Sequence, residues 1–345
     1  PDNGAVLDRE SGTLYWTGLD DRRQGHQQAE ISTMPLAGGS PSVLTEDFDR
    51  SPGNLQFDGG TLYFSYADQG RTKLARISQG GGIEDLCTMH GLGSGRPYAG
   101  GAYSARGGTV AWVGGDPAWP GELYVSRGGV EPIQVTDVNR DLRETIELGA
   151  VEEQWTESGA DGLRVQSWII KPPGFDPSET YPMILEIHGG PFSAYGPRFT
   201  FELQIMAAQG YVVLYGNPRG STSYGETFAN AIHHAYPSQD YDDLMSMVDG
   251  VVEKGYVDPE RMYVTGGSGG GVLTAWIVGK TDRFAAAVVA KPVINWLSFS
   301  LTADAYDFFW PYWFPATPWE DAEHYWKRSP LSLVGNVTTP TMLLT

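Results

Sequence analysis

Apolar and polar positions alternate with a period of two through the first third of the chain, then give way to continuous apolar runs separated by helix-period segments. Gly12-Thr-Leu-Tyr-Trp16, Gly60-Thr-Leu-Tyr-Phe64 and Gly108-Thr-Val-Ala-Trp112 are one strand written three times at equal spacing. Behind each comes a paired element: Ile31 to Gly39 running on to Val43-Leu-Thr45, Leu74 to Gly82 with Leu86-Cys-Thr88, and Leu123 to Gly129 with Val135-Thr136. Each unit therefore reads strand, strand, glycine turn, strand. Short antiparallel strands repeated every 40–50 residues or so fit propeller blades, which bury their faces only against neighbours. A two-sheet sandwich is the competing architecture, but it predicts no fixed period.

The pattern changes near Asp137. Val151 to Gly162 and Val165 to Ile170 predict two strands joined by a polar turn. Met183 to Ile187 and Tyr211 to Tyr215 are nearly all apolar, as expected of strands buried on both faces of a parallel sheet. Leu244, Met247, Val248, Val251 and Val252 fall on one helix face between Ser238 and Gly255. Further strands are expected at Met262 to Thr265, at Ala285 to Ala290 and from Thr341. Strands alternating with helices describe an α/β domain with a largely parallel sheet. The expected division is a partial propeller of about three blades over residues 1–145 and an α/β domain over 146–345.

Composition narrows the partners. With 41% apolar and 12% aromatic residues the chain is globular, and its forty-five glycines and twenty-three prolines suit many turns. A formal charge of −19 argues against nucleic acid, whose phosphates need clustered cations. No apolar run is long enough to span a membrane. Cys87 is the only cysteine, so neither an internal disulfide nor a cysteine-based zinc site can form. The first residue is proline, with no methionine or signal-like segment before it, and the chain is expected to be cut at its front, since three blades close no ring.

The chemistry gathers in Met262-Tyr-Val-Thr-Gly-Gly-Ser-Gly-Gly-Gly271. A β-branched and aromatic run stops at glycines surrounding one serine, and an apolar helical segment follows. Gly266, Ser268 and Gly270 fill the G-x-S-x-G pattern, whose glycines allow a sharp turn that lifts the serine hydroxyl clear of the sheet. A phosphate-binding loop is disfavoured, because no Lys-Ser, Lys-Thr or G-x-G-x-x-G accompanies these glycines. His188-Gly-Gly-Pro191, at the end of a buried strand, matches the loop that gives one backbone N–H to an oxyanion hole. The second comes from the residue after the nucleophile, here Gly269. Together these point to a serine hydrolase with Ser268 as nucleophile.

Asp161-Gly162 before Trp168, His188 to Pro191, Asn217-Pro-Arg-Gly-Ser-Thr-Ser-Tyr-Gly225, Asp242-Asp-Leu244, Gly255-Tyr-Val-Asp-Pro259 and Gly266 to Gly271 together resemble the prolyl oligopeptidase family. The resemblance runs from about Glu152 onward and is nearest to acylaminoacyl peptidases and dipeptidyl aminopeptidases. It implies an α/β hydrolase domain preceded by a β-propeller that restricts entry to oligopeptides. It further implies Ser268 as nucleophile, the backbone of Gly190 and Gly269 as oxyanion donors, and Val293, Trp296 and Phe299 as the lining of an apolar pocket. The three-residue spacing of that trio is equally that of ordinary packing on a helix face. Arg219 is expected to organise its own loop, and His188 to be structural.

The triad order Ser, Asp or Glu, His requires both partners after Ser268. His324 is the one histidine there, and it precedes the last strand, so it is expected to be non-catalytic. The acid and base are expected beyond Thr345, which makes the α/β domain incomplete at its C-terminus and the chain alone inactive. The expectation is a serine peptidase acting on short peptides, without metal or organic cofactor, cytoplasmic, with homo-oligomerisation left open. An esterase using the same machinery and a propeller-based binding protein with a vestigial hydrolase domain are the rivals.

Overall fold

The computed structural model describes residues 3–78, 80–90, 95–115, 117–128 and 130–345; Gly129, in the third repeat's glycine turn, lies outside them. Three four-stranded antiparallel sheets come first, each with its strands in chain order. The first holds β1 (Asn3–Asp8), β2 (Thr13–Gly18), β3 (Glu30–Pro35) and β4 (Ser42–Val43). The second holds β5 (Gly53–Asp58), β6 (Thr61–Asp68), β7 (Arg71–Ser78) and β8 (Ile83–Met89), and the third β9 (Tyr103–Arg106), β10 (Thr109–Gly114), β11 (Glu122–Arg127) and β12 (Ile133–Gln134). The repeated motif is the second strand of each sheet. Each sheet thus has one strand more than the repeat predicts, because the leading strands β1, β5 and β9 are mixed in polarity.

The period of two decides how these sheets stack. Along β6, Leu62, Phe64 and Tyr66 cluster with Ile31 and Tyr15 of the first sheet, while Tyr63 clusters with Val110 and Trp112 of the third. Leading strands lie beside one another, and the Gln56 side chain ties β5 to β9 by donating to Tyr103 O (2.9 Å) and accepting from Ala105 N (2.9 Å). These are three consecutive blades of a β-propeller.

Helix α1 (Arg140–Thr145) leads into a seven-stranded sheet ordered β13-β14-β16-β15-β17-β18-β19. Its strands are β13 (Val151–Glu157), β14 (Arg164–Ile170), β15 (Tyr181–Ile187), β16 (Val212–Asn217), β17 (Val257–Gly267), β18 (Ala286–Ala290) and β19 (Thr341–Leu344). β13 and β14 are antiparallel to their neighbours, and the five strands from β16 to β19 run parallel. The helices are α2 (Phe201–Ala208), α3 (Glu226–Ala229), α4 (Asp240–Val252), α5 (Gly269–Lys280), α6 (Trp296–Thr302), α7 (Tyr306–Trp313) and α8 (Ala322–Arg328). We propose the boundary between the two parts at the end of α1, residues 145–146.

Both faces of the sheet are covered, which explains the unbroken apolar runs. Met183, Leu185 and Ile187 pack with Leu244, Met247 and Val251 of α4 and Val272 and Ile277 of α5. On the other face Val213, Tyr215 and Trp168 pack with Leu203 and Ala207 of α2. α4 starts without a side-chain cap: Gln239 holds the cap position, and Asp240 accepts from the Ser238 and Tyr241 amides. No helix among the described residues is long and apolar enough to cross a membrane.

Candidate active site

Strand β17 ends at Gly267 and α5 begins at Gly269, leaving Ser268 between them at φ 58° and ψ −119°. Positive φ at a non-glycine residue costs about 1–3 kcal/mol and persists only where the surroundings enforce it. Here they do. A methyl group on Gly270 would lie 2.1 Å from the Ile187 carbonyl oxygen, and one on Gly266 would lie 2.6 Å from the Gly270 backbone. Strand and helix can close on each other this tightly only without side chains. Ser268 is therefore pushed outward: it is exposed, its amide donates to Ala290 O (2.9 Å), and its hydroxyl has no hydrogen-bond partner among the described residues.

The loop after β15 faces this turn. A methyl group on Gly269 would sit 2.8 Å from Gly190 N, and one on Gly189 would sit 3.4 Å from Ser268 Cβ, so the two glycine-rich segments are in direct contact beside the serine. Gly269 is the first residue of α5 and its N–H has no place in the helix ladder. The Gly190 N–H hydrogen bonds to no described residue. His188 is fully buried, and burial pushes its pKa down to about 4, leaving a neutral ring. Its Nδ1 is 2.7 Å from the Gly189 carbonyl and its Nε2 is 2.9 Å from Ser221 Oγ. His188 thus braces the loop from beneath and does not bond to Ser268.

An aromatic cluster backs the turn. Tyr236 donates its hydroxyl to Gly269 O (2.7 Å), and its ring meets Trp296 and Trp313 edge-on at 6.1 Å. Trp296, at the start of α6, is 2% exposed and lies 5.6 Å from each of Phe299, Trp313 and Phe314. Val293 and Phe299 are half-buried at the margin of the same cluster. The trio is brought together, with Trp296 packed as core and the other two nearer its surface.

Arg219 lies elsewhere, 3% exposed, donating to both oxygens of Asp243 (2.8 and 2.9 Å) and both of Asp161 (2.8 and 2.9 Å). It pins its loop to α4 and to the β13–β14 turn. His324 is in α8 against Phe314, and none of the six histidines bonds to Ser268. Among the described residues, no three His, Cys, Asp or Glu side chains converge as a metal site would require.

Two residues beside the turn come from the propeller and have no counterpart among the sequence motifs. Tyr98 Oη accepts the Gly189 N–H at 2.7 Å, and Arg96 pairs with Glu186 Oε1 at 2.7 Å. Glu186 is fully buried in β15; burial pushes its carboxyl up to about 8, against the pull of Arg96. The stretch from Gly91 to Gly101 offers no period and no motif, only scattered glycines, so nothing in it announces these neighbours.

Residues 197–345 match the prolyl oligopeptidase family. This stretch belongs to that family. The wider prolyl oligopeptidase architecture, propeller then α/β hydrolase domain, extends the likeness to the rest of the chain. An "uncharacterized peptidase" of Bacillus subtilis is 43% identical over 231 residues, 66% of this chain and 35% of that protein. Dipeptidyl-peptidase 5 of Schizosaccharomyces pombe is 33% identical over 357 residues, 98% of this chain and 49% of that protein. The acylaminoacyl peptidase of Pyrococcus horikoshii superposes with a TM-score of 0.84 at 26% identity, covering 96% of this chain and 51% of that one. The chain thus spans between about a third and a half of the length of these relatives.

Proposed function

We propose that this chain carries the nucleophile and oxyanion hole of a serine peptidase that hydrolyses short peptides, of acylaminoacyl or dipeptidyl type. Ser268 attacks the peptide carbonyl, the Gly190 and Gly269 amides hold the resulting oxyanion, the amine leaves, and water hydrolyses the acyl-enzyme. Val293 and Phe299 form the apolar wall for the side chain before the cleaved bond, with Trp296 packed behind them. The observation that carries this reading is the exposed Ser268 on a strained turn, its hydroxyl unbonded among the described residues, beside a glycine-rich loop whose Gly190 N–H has no acceptor among them.

A serine hydroxyl needs a base to be an effective nucleophile, and no histidine of residues 1–345 supplies one. Residues 1–345 alone are therefore expected not to react with a fluorophosphonate probe, whereas a protein that joins them to a triad acid and histidine is expected to be labelled at Ser268. Strong labelling of residues 1–345 would overturn the inactivity. Turnover of aminoacyl-anilides well above that of simple esters separates peptidase from esterase; the reverse ranking would replace this reading.

A further inference from the structure

We propose that the propeller segment Arg96–Tyr98 sets the position of the oxyanion loop, with Tyr98 as a positioning residue for catalysis; this rests on the serine-peptidase reading above. Hydrogen bonds on both sides of it dock the segment as a short antiparallel strap: Tyr98 bridges Tyr195, Ala99 N donates to Ala194 O (2.9 Å), and Gly196 N donates to Pro97 O (2.9 Å). The Tyr98 ring lies edge-on to Tyr195 at 4.8 Å. Arg96 anchors the strap's front end, pairing with Glu186 at 2.7 Å and with Glu202 at 3.4 Å.

What the strap touches is specific. Arg96 Nη1 lies 3.2 Å from where a methyl group on Gly267 would be, one residue before Ser268. Tyr98 Oη accepts from Gly189 N, one residue before Gly190. The peptide unit that bears the Gly190 N–H also bears the Gly189 carbonyl. That carbonyl is held from within the hydrolase domain by His188 Nδ1 (2.7 Å) and by the Ser193 hydroxyl. The other end of Gly189, its own N–H, is held by Tyr98 alone among the described residues.

Glycine is the residue least able to fix its own backbone angles. Pinned at its carbonyl oxygen only, the Gly189–Gly190 peptide unit can still pivot about that oxygen, and the direction of the Gly190 N–H turns with it. With Tyr98 bonded, both flanking peptide planes are set. An oxyanion donor acts through its distance and direction to the developing charge, so a propeller hydroxyl bears on the rate although it need not touch substrate. A propeller that only filters substrates by size would have no such effect on a substrate small enough to bypass it.

The test uses Tyr98→Phe in a protein that joins residues 1–345 to a triad acid and histidine; the substitution keeps the ring against Tyr195 and removes only the acceptor. Turnover is expressed per Ser268 labelled by a fluorophosphonate probe, so unfolded molecules do not count. The expected result is a kcat lowered roughly 10- to 100-fold, with KM within about twofold, equally on a peptide anilide and on a small p-nitrophenyl ester. Unchanged kcat on the ester, or a change confined to KM, would sink the strap's positioning role and leave Ser268 chemistry standing. Absence of any Ser268-dependent labelling or turnover before the substitution, in a protein that joins residues 1–345 to a triad acid and histidine, would remove the peptidase reading and this proposal together.

Discussion

Ser268 and Arg219 sit on two loops at the same end of the sheet, both conspicuous in the sequence, and they are opposites. Arg219 is buried under two aspartates and locked by hydrogen bonds on every nitrogen. Burial works against its charge, and the carboxylates of Asp161 and Asp243 more than restore it, raising its pKa. Ser268 is exposed and strained, and its hydroxyl is unbonded among the described residues. The saturated residue has no capacity left for a ligand, whereas the unsaturated one has nothing else to do. Charge in a motif is thus a poor guide to chemistry, and unused hydrogen-bonding capacity on a rigid support is a better one.

Substitutions can break that contrast. In a protein that joins these residues to a triad acid and histidine, Ser268→Ala should lower kcat/KM by roughly 10⁴- to 10⁶-fold while shifting the unfolding free energy by less than about 1 kcal/mol. Arg219→Leu should do the opposite. It strands Asp243 uncompensated in the core and should cost about 3–5 kcal/mol of stability in urea unfolding, with turnover per labelled serine kept within about twofold. Loss of turnover per labelled serine would place Arg219 in the chemistry and erase the distinction. Gly270→Ala drives a methyl group into Ile187 O and should destabilise by about 3 kcal/mol while also misplacing the serine, so both readouts should fall.

The smallest effect is a pH dependence at the strap. Glu186 is protonated in the folded state up to about pH 8 but ionises near its ordinary value when unfolded. The folded state therefore binds the extra proton between those values, and stability falls as pH rises through that window. Arg96→Met removes the cation that favours ionised Glu186 and makes its folded carboxyl a weaker acid still, so the fall continues beyond pH 8. The variant's extra deficit should be small at pH 6 and larger at pH 9, by up to about 1.4 kcal/mol, which is the worth of the one pH unit between 8 and 9. A deficit that is constant across this range would mean that Arg96 contributes packing and not charge.

Much of the architecture was legible in the chain because it rests on local pattern. The repeats mark β2, β6 and β10, and the apolar runs mark β15 to β18. The leading blade strands were not, since Tyr103–Arg106 gains its strand character only from pairing with β10. At the site, the glycines around Ser268 and after His188 are legible because close backbone approach leaves few residue choices. The placement of Trp296 was not decidable, because three-residue spacing fits a pocket wall and a core face alike. Arg96 and Tyr98 were invisible for a different reason: their roles depend on two parts of the chain meeting at Tyr195, and no periodicity encodes a meeting of that kind.

The crossing at Tyr195 carries a consequence for protein engineering. Chimeras that exchange the blades of one relative for those of another at the 145–146 boundary would separate residues 96–99 from the glycines and carboxylates they touch. A graft should transplant the short crossing segment with its recipient sheet, because the inheritance that matters there follows contact and not chain order.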